Sequence, residues 1–236
     1  MLRGTTVWRA NTLSATKAPT CPTGIADLDA CLPGGGWPVA GLTELLSTGQ
    51  GVGELQLLMP ALSELAATRA GWITCISPPY LLNAPALAQW GISPQRLLLI
   101  HPRSAADAAW AAEQALASGT CIAVLLWTDA LESARNLAPR KSYQRLSMQQ
   151  LTRRLQLSAA ANGCWAVALR KSSASRQPSA AVLRLLIEAN GSQRDLHVLK
   201  VRGGRPAVIK DIEAHIDADA LMIKAMSHAT TCATDD

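Results

Sequence analysis

Residues 42 to 55 read Leu42-Thr43-Glu44-Leu45-Leu46-Ser47-Thr48-Gly49-Gln50-Gly51-Val52-Gly53-Glu54-Leu55: an apolar run, a glycine-rich turn, then the start of a helical pattern. The run Leu42 to Ser47 predicts a strand and Leu55 to Thr68 a helix, which together make one βα unit. Working outward, the same alternation recurs. Trp72 to Ser77 predicts a strand halted by Pro78 and Pro79, because the first proline holds Ser77 extended and the second has no N–H for a ladder. Ala84 to Trp90 predicts a short helix ending at Gly91, and Leu97 to His101 a third strand. Ser104, with Asp107 three residues on, has the spacing of a capping-box variant and opens a helix that ends near Gly119. Strands alternating with helices in this way imply an α/β fold with a mostly parallel sheet flanked by helices.

Cys121 to Thr128 is the most apolar strand pattern in the chain and is expected at the sheet centre, buried on both faces, with Asp129 at its carboxyl end. A polar, basic stretch from Glu132 to Arg145 precedes an amphipathic helix in which Met148, Leu151, Leu155 and Ser158 share a face. Arg153 and Arg154 fall off that face, on a solvated side or a contact surface. Trp165 to Leu169 predicts a strand, and Arg170 to Gln177 has the composition of an exposed loop. Ala181 to Ile187 and Leu196 to Val201 predict a hairpin around Asn190-Gly191.

The length of 236 residues suits one sizeable α/β domain with tails. No apolar run reaches the roughly 18 residues of a membrane span, and the start lacks a secretory pattern, so a cytoplasmic protein is expected. The six cysteines stand singly, which argues against a metal site. Cys75, Cys121 and Cys164 read as small apolar core residues in strands. Seven dispersed tryptophans look like core or interface residues rather than a base-stacking row.

Charge is distributed unevenly. Residues 1–132 carry 6 basic and 9 acidic residues, residues 133–210 carry 15 basic and 2 acidic, and residues 211–236 carry 1 and 6. The middle block, at +13, is a candidate polyanion surface. Beyond Ile212 an acidic tail follows, which reads equally as a segment that docks on a basic partner, one that covers the basic block, or a disordered end.

Thr23-Gly24-Ile25-Ala26-Asp27-Leu28-Asp29 followed by Leu32-Pro33-Gly34-Gly35-Gly36-Trp37-Pro38 resembles the entry into the ATPase core of the RecA recombinases. That resemblance implies a RecA-like core over 23–210, an amino-terminal segment over 1–22 and an acidic tail over 211–236. In the RecA family a phosphate loop, G-x-x-x-x-G-K-[ST], comes next: backbone N–H groups wrap the phosphates, Lys neutralises them and the hydroxyl holds Mg²⁺. The equivalent run here is Thr48 to Leu55, and it keeps only Gly53, with Glu54 at the lysine position and Leu55 at the hydroxyl position. Like charges ~4 Å apart repel by roughly 1 to 4 kcal/mol, so the resemblance implies a degenerate phosphate loop without nucleotide or other cofactor. Pro79 stands where the family keeps the glutamate that activates water. Asp129 lies in the region of the family's metal-facing acid, or is a strand-end turn residue or cap.

A closer resemblance is to ImuA, a RecA-like family similar in turn to the division inhibitor SulA. Val7-Trp8-Arg9-Ala10, Leu32 to Pro38, Thr43-Glu44-Leu45-Leu46, Gly51-Val52-Gly53-Glu54-Leu55, Pro78-Pro79-Tyr80, Ala84-Pro85-Ala86-Leu87, Glu113-Gln114-Ala115-Leu116, Arg153-Arg154-Leu155-Gln156-Leu157 and Arg202-Gly203-Gly204-Arg205-Pro206 carry it, from about residue 7 to 208. The basic stretch at 134–147 and the tail depart from it. The resemblance implies a non-catalytic accessory protein of SOS-induced, mutagenic translesion DNA synthesis, acting in the DNA damage response and DNA repair beside ImuB and an error-prone DNA polymerase. The loops that hold single-stranded DNA in recombinases correspond to Arg135, Arg140, Lys141 and Arg145, and to Arg170, Lys171 and Arg176. Lys200, Arg202, Arg205 and Lys210 follow in the hairpin and its exit. Contacts of this kind are to phosphate and carry no base specificity. Trp8, ahead of the core, is placed to serve self-association, to meet ImuB or to pack on its own domain. Two alternatives remain, a SulA-like inhibitor of FtsZ and an ATPase with an unorthodox loop.

Overall fold

In the computed structural model, residues 19–49, 51–133, 147–190 and 193–212 are described. Trp8, the 134–146 stretch with Arg135, Arg140, Lys141 and Arg145, and the tail from 213 lie outside them. The strands are β1 (Thr20–Cys21), β2 (Trp37–Pro38), β3 (Gly41–Ser47), β4 (Trp72–Ile76), β5 (Leu97–Ile100), β6 (Cys121–Trp127), β7 (Trp165–Lys171), β8 (Leu183–Asn190), β9 (Gln193–Val201) and β10 (Ala207–Ile209). The helices are α1 (Ala26–Cys31), α2 (Glu54–Thr68), α3 (Ala84–Gln89), α4 (Ala105–Ala117), α5 (Asp129–Ser133) and α6 (Met148–Asn162).

Eight strands form one sheet in the order β10-β9-β8-β3-β7-β6-β4-β5, parallel from β8 to β5 and antiparallel at β9 and β10. The α/β architecture, with a mostly parallel sheet between helices, is compatible with a RecA-like core. Strand alternation sends successive side chains to opposite faces, and two apolar layers result. Leu45, Cys75, Leu125 and Val167 pack beneath Leu58, Leu62 and Leu65 of α2. On the other face Leu42, Val124, Leu126 and Ala166 pack beneath Ala108, Ala112 and Leu116 of α4 and Leu151 and Leu155 of α6.

Local chemistry sets the element ends. Ser104 caps α4 by accepting the Asp107 amide at 3.2 Å, as its spacing predicted. Ser147 and Gln150 close a full capping box on α6. Buried Gln156 of α6 accepts the Leu42 amide at 2.8 Å and so ties that helix to β3. Trp37 and Trp165 meet at 5.4 Å between ring centroids, and the Trp165 indole donates to Thr43 at 3.1 Å.

Several expectations need correction. β6 is buried on both faces but lies off the middle, which β3 and β7 occupy. Covering helices on either face bury any interior strand, so an apolar run does not mark the central one. Cys75 is a buried strand residue, whereas Cys121 is half-buried and Cys164 immediately precedes β7. Among the described residues the packed body includes β1 at Thr20–Cys21 and reaches Ile212, which is buried. Arg170 and Lys171 belong to β7, with a 3-10 turn over Ser172–Arg176, in place of the exposed loop. Among the described residues no helix is long and apolar enough to cross a membrane.

Candidate functional site

An open cleft of about 830 Å³ lies at the carboxyl ends of β3, β4, β6 and β7. In open α/β sheets that end is where ligands bind. All four positions of the glycine loop singled out in the sequence (Thr48, Gly53, Glu54 and Leu55) line the cleft, and so do Pro79, Asp129 and Lys171. Positions scattered over more than 120 residues of sequence therefore converge on one cavity.

Gly53 caps α2 with φ 92°, a conformation natural to glycine. A Cβ there would fall 1.5 Å from Nη1 of Arg194, so the position also demands the smallest residue. Arg194 reaches over from β9, donating from Nη1 to the Val52 carbonyl at 3.0 Å and from Nη2 to Gln56 Oε1 at 3.2 Å. Glu54 is the first residue of α2, where a carboxylate complements the positive end of the helix dipole. Ser47 Oγ lies 2.6 Å from the Gly49 carbonyl and 3.1 Å from Glu54 Oε1, so its one proton is shared between two acceptors of the loop.

Behind the cleft lies a charged cluster that sequence reading missed. Glu44 of β3 is fully buried, and each carboxylate oxygen meets one guanidinium: Oε1 accepts from Arg170 Nη1 at 2.8 Å and Oε2 from Arg184 Nε at 2.6 Å. Arg170 also donates to Glu132 of α5 at 2.9 Å and to the Gln177 side chain at 2.9 Å. Arg184 donates to the carbonyls of Ala174 at 2.8 Å and Gln177 at 3.1 Å. Two cations and two anions balance, which is how charges persist in an interior. The available signal was a lone Glu in Leu42 to Ser47 and a lone Arg in Leu183 to Ile187, each within an apolar strand. Arg194 gave no signal at all.

Arg170 was expected to meet phosphate; it borders the cleft but is only 3% exposed, and its Nε, Nη1 and Nη2 donate to Glu132, Glu44 and Gln177, so its guanidinium is turned into this cluster rather than out to solvent. Of its two loop companions, Lys171 is exposed at the cleft and Arg176 is exposed on the following turn. The other basic residues are elsewhere. Lys171 is level with Ser47 and Ile187, whereas Val201, just before Arg202, is level with Leu183 and Thr43. Four residues of strand make ~13 Å, and three strand spacings add ~14 Å across the sheet. Arg202 and Arg205 therefore sit at the amino end of the parallel strands, away from the cleft, whereas Lys210 follows Ile209, which is level with Leu196, Ile187 and Ser47, and so lies at the cleft's end of the sheet but out on the edge strand β10. Lys200 donates to the Ser179 carbonyl at 2.8 Å. Burial, then the like charges of Arg184 and Arg202, hold its ammonium below the usual lysine range. Arg153 and Arg154 are exposed on α6, and Arg154 pairs with Glu113 at 2.6 Å.

Compared with protein-family models and with curated proteins, the chain matches none.

Proposed function

We propose that the chain is a non-catalytic, RecA-like accessory module of translesion DNA synthesis, whose glycine loop holds its own carboxylate where a relative would hold a nucleotide. The observation that carries this reading is Glu54: it opens α2, accepts from Ser47 and lines the cleft. An anion at the amino end of a helix is stabilised there whether it arrives as a phosphate or as a side chain. With that place taken, and with Leu55 and Pro79 lacking the chemistry to hold Mg²⁺ or activate water, the glycine loop and Pro79 do not supply the machinery that phosphoryl transfer needs.

The partners implied by the resemblance are DNA, ImuB and an error-prone polymerase. Lys171 and Arg176 are exposed near the cleft. The described residues that flank the basic 134–146 stretch, the end of α5 and the start of α6, are at the cleft end of the sheet, and the charge of that stretch in the sequence supports a phosphate-binding role for that end. Thermal unfolding with and without ATP and Mg²⁺ tests the loop: no change in midpoint is expected, and a clear rise overturns the non-enzymatic reading. A pull-down against ImuB and the polymerase, repeated with the chain cut at Ile212, tests the partners. Capture of neither overturns the accessory role.

A further inference from the structure

We infer that the Glu44–Arg170–Arg184 cluster is a clamp that positions the 172–177 segment, and with it Lys171 and Arg176, for a polyanion backbone. The inference rests on the DNA reading above for its purpose and on the cluster's own geometry for its mechanics.

The segment from Ser172 to Gln177 offers little to hold itself in place. Its 3-10 turn is five residues long, and Ala174 is its one buried residue, packed with Leu46 and Leu186. Its fixed points are hydrogen bonds to the two arginines. Arg184 gathers the main-chain carbonyls of Ala174, Ser175 and Gln177, while Arg170 Nη2 takes the Gln177 side chain. Both guanidinium groups are oriented by the one buried carboxylate of Glu44, reached from β7 on one side and from β8 on the other.

A guanidinium presents its donors in a rigid fork, so fixing one edge on Glu44 aims the other edge outward. For Arg184 the outward edge meets the carbonyls. For Arg170 it meets Gln177 and, through Nε, Glu132 of α5. The same cluster thus ties the element after β6 to the element after β7. Arg170, although buried, contributes to the cation surface by holding Lys171 and Arg176 in register rather than by touching phosphate, and it is a positioning residue.

The test uses the full chain and a fluorescent oligo(dT) in anisotropy titrations over a range of salt, with amide hydrogen exchange of the free protein alongside. Two variants loosen the clamp, Arg184→Gln in the buried cluster and Gln177→Ala at its outer end. In Gln177→Ala, faster exchange confined to 172–177 and 129–133 at an unchanged melting temperature, and in both variants affinity reduced about tenfold at low salt, is the expected result. Unchanged exchange in both variants overturns the clamp even if the unaltered chain binds oligo(dT). Altered exchange with unchanged affinity overturns the positioning role. Failure of the unaltered chain to bind overturns the DNA reading and the purpose assigned here, while exchange still reports on the clamp by itself.

Discussion

At the scale of single residues, Gly53 and Arg194 are interlocked. Gly53→Ala forces a side chain into a left-handed conformation and against the guanidinium, with an expected loss of about 1–3 kcal/mol. Arg194→Ala removes the obstruction but not the strained φ, so the double variant should be less damaged than the sum of the singles. A double-mutant cycle by urea unfolding measures that coupling, and strict additivity contradicts the contact. The buried thiols make a second prediction. Burial pushes Cys75 from an ordinary 9.0 up to about 12, and burial followed by the neighbouring Cys121 does the same for Cys164. Well below pH 9 the thiols carry the proton in both states and contribute no pH dependence to stability. Between pH 9 and about 12 the unfolded chain ionises while the folded thiols resist, so stability falls as pH rises. Denaturation midpoints taken from pH 8 to 10.5 should decline at the upper end, and Cys75→Ala should flatten part of that decline.

At the scale of elements, β3 is the organising strand. It pairs with β7 and β8, carries Glu44 between them, and runs into the glycine loop and α2. Glu44→Gln leaves two buried guanidinium groups sharing a neutral amide, and removing one partner of a buried pair costs about 3–5 kcal/mol. A denaturant midpoint unmoved by that change contradicts the cluster's role in the fold. The capping box on α6 is a smaller matter: Ser147→Ala should cost about 1 kcal/mol in the same assay. The two parts of that box lie three residues apart in the chain. The Glu44 cluster joins residues 126 and 140 positions apart, and only pairing of the strands brings them together.

At the scale of the whole molecule, the basic block from 133 to 210 divides. Lys171 and Arg176 near the cleft and Arg202 and Arg205 beyond β9 occupy opposite ends of the sheet, so these two pairs do not act as one surface. Replacing Lys171 and Arg176 by Ala should reduce the salt slope of single-strand affinity by about 1.4, on the basis of ~0.7 per phosphate contact. Replacing Arg202 and Arg205 should leave it nearly unchanged, and the reverse outcome would move the proposed DNA site to the other end. Strands, helices and the convergence of Thr48, Gly53, Glu54, Leu55, Pro79 and Asp129 at one end of a parallel sheet were set by local pattern. Hydrophobic period and turn residues act over a few positions, and βα alternation then brings every strand's carboxyl end to the same side. Which cations face solvent was decided by tertiary structure alone. Arg170 and Lys171 are neighbours of one charge type in the sequence, yet the strand's alternation turns one inward to Glu44 and the other outward to the cleft rim. That difference lies in what the opposite strand presents, and charge counted along a chain does not contain it.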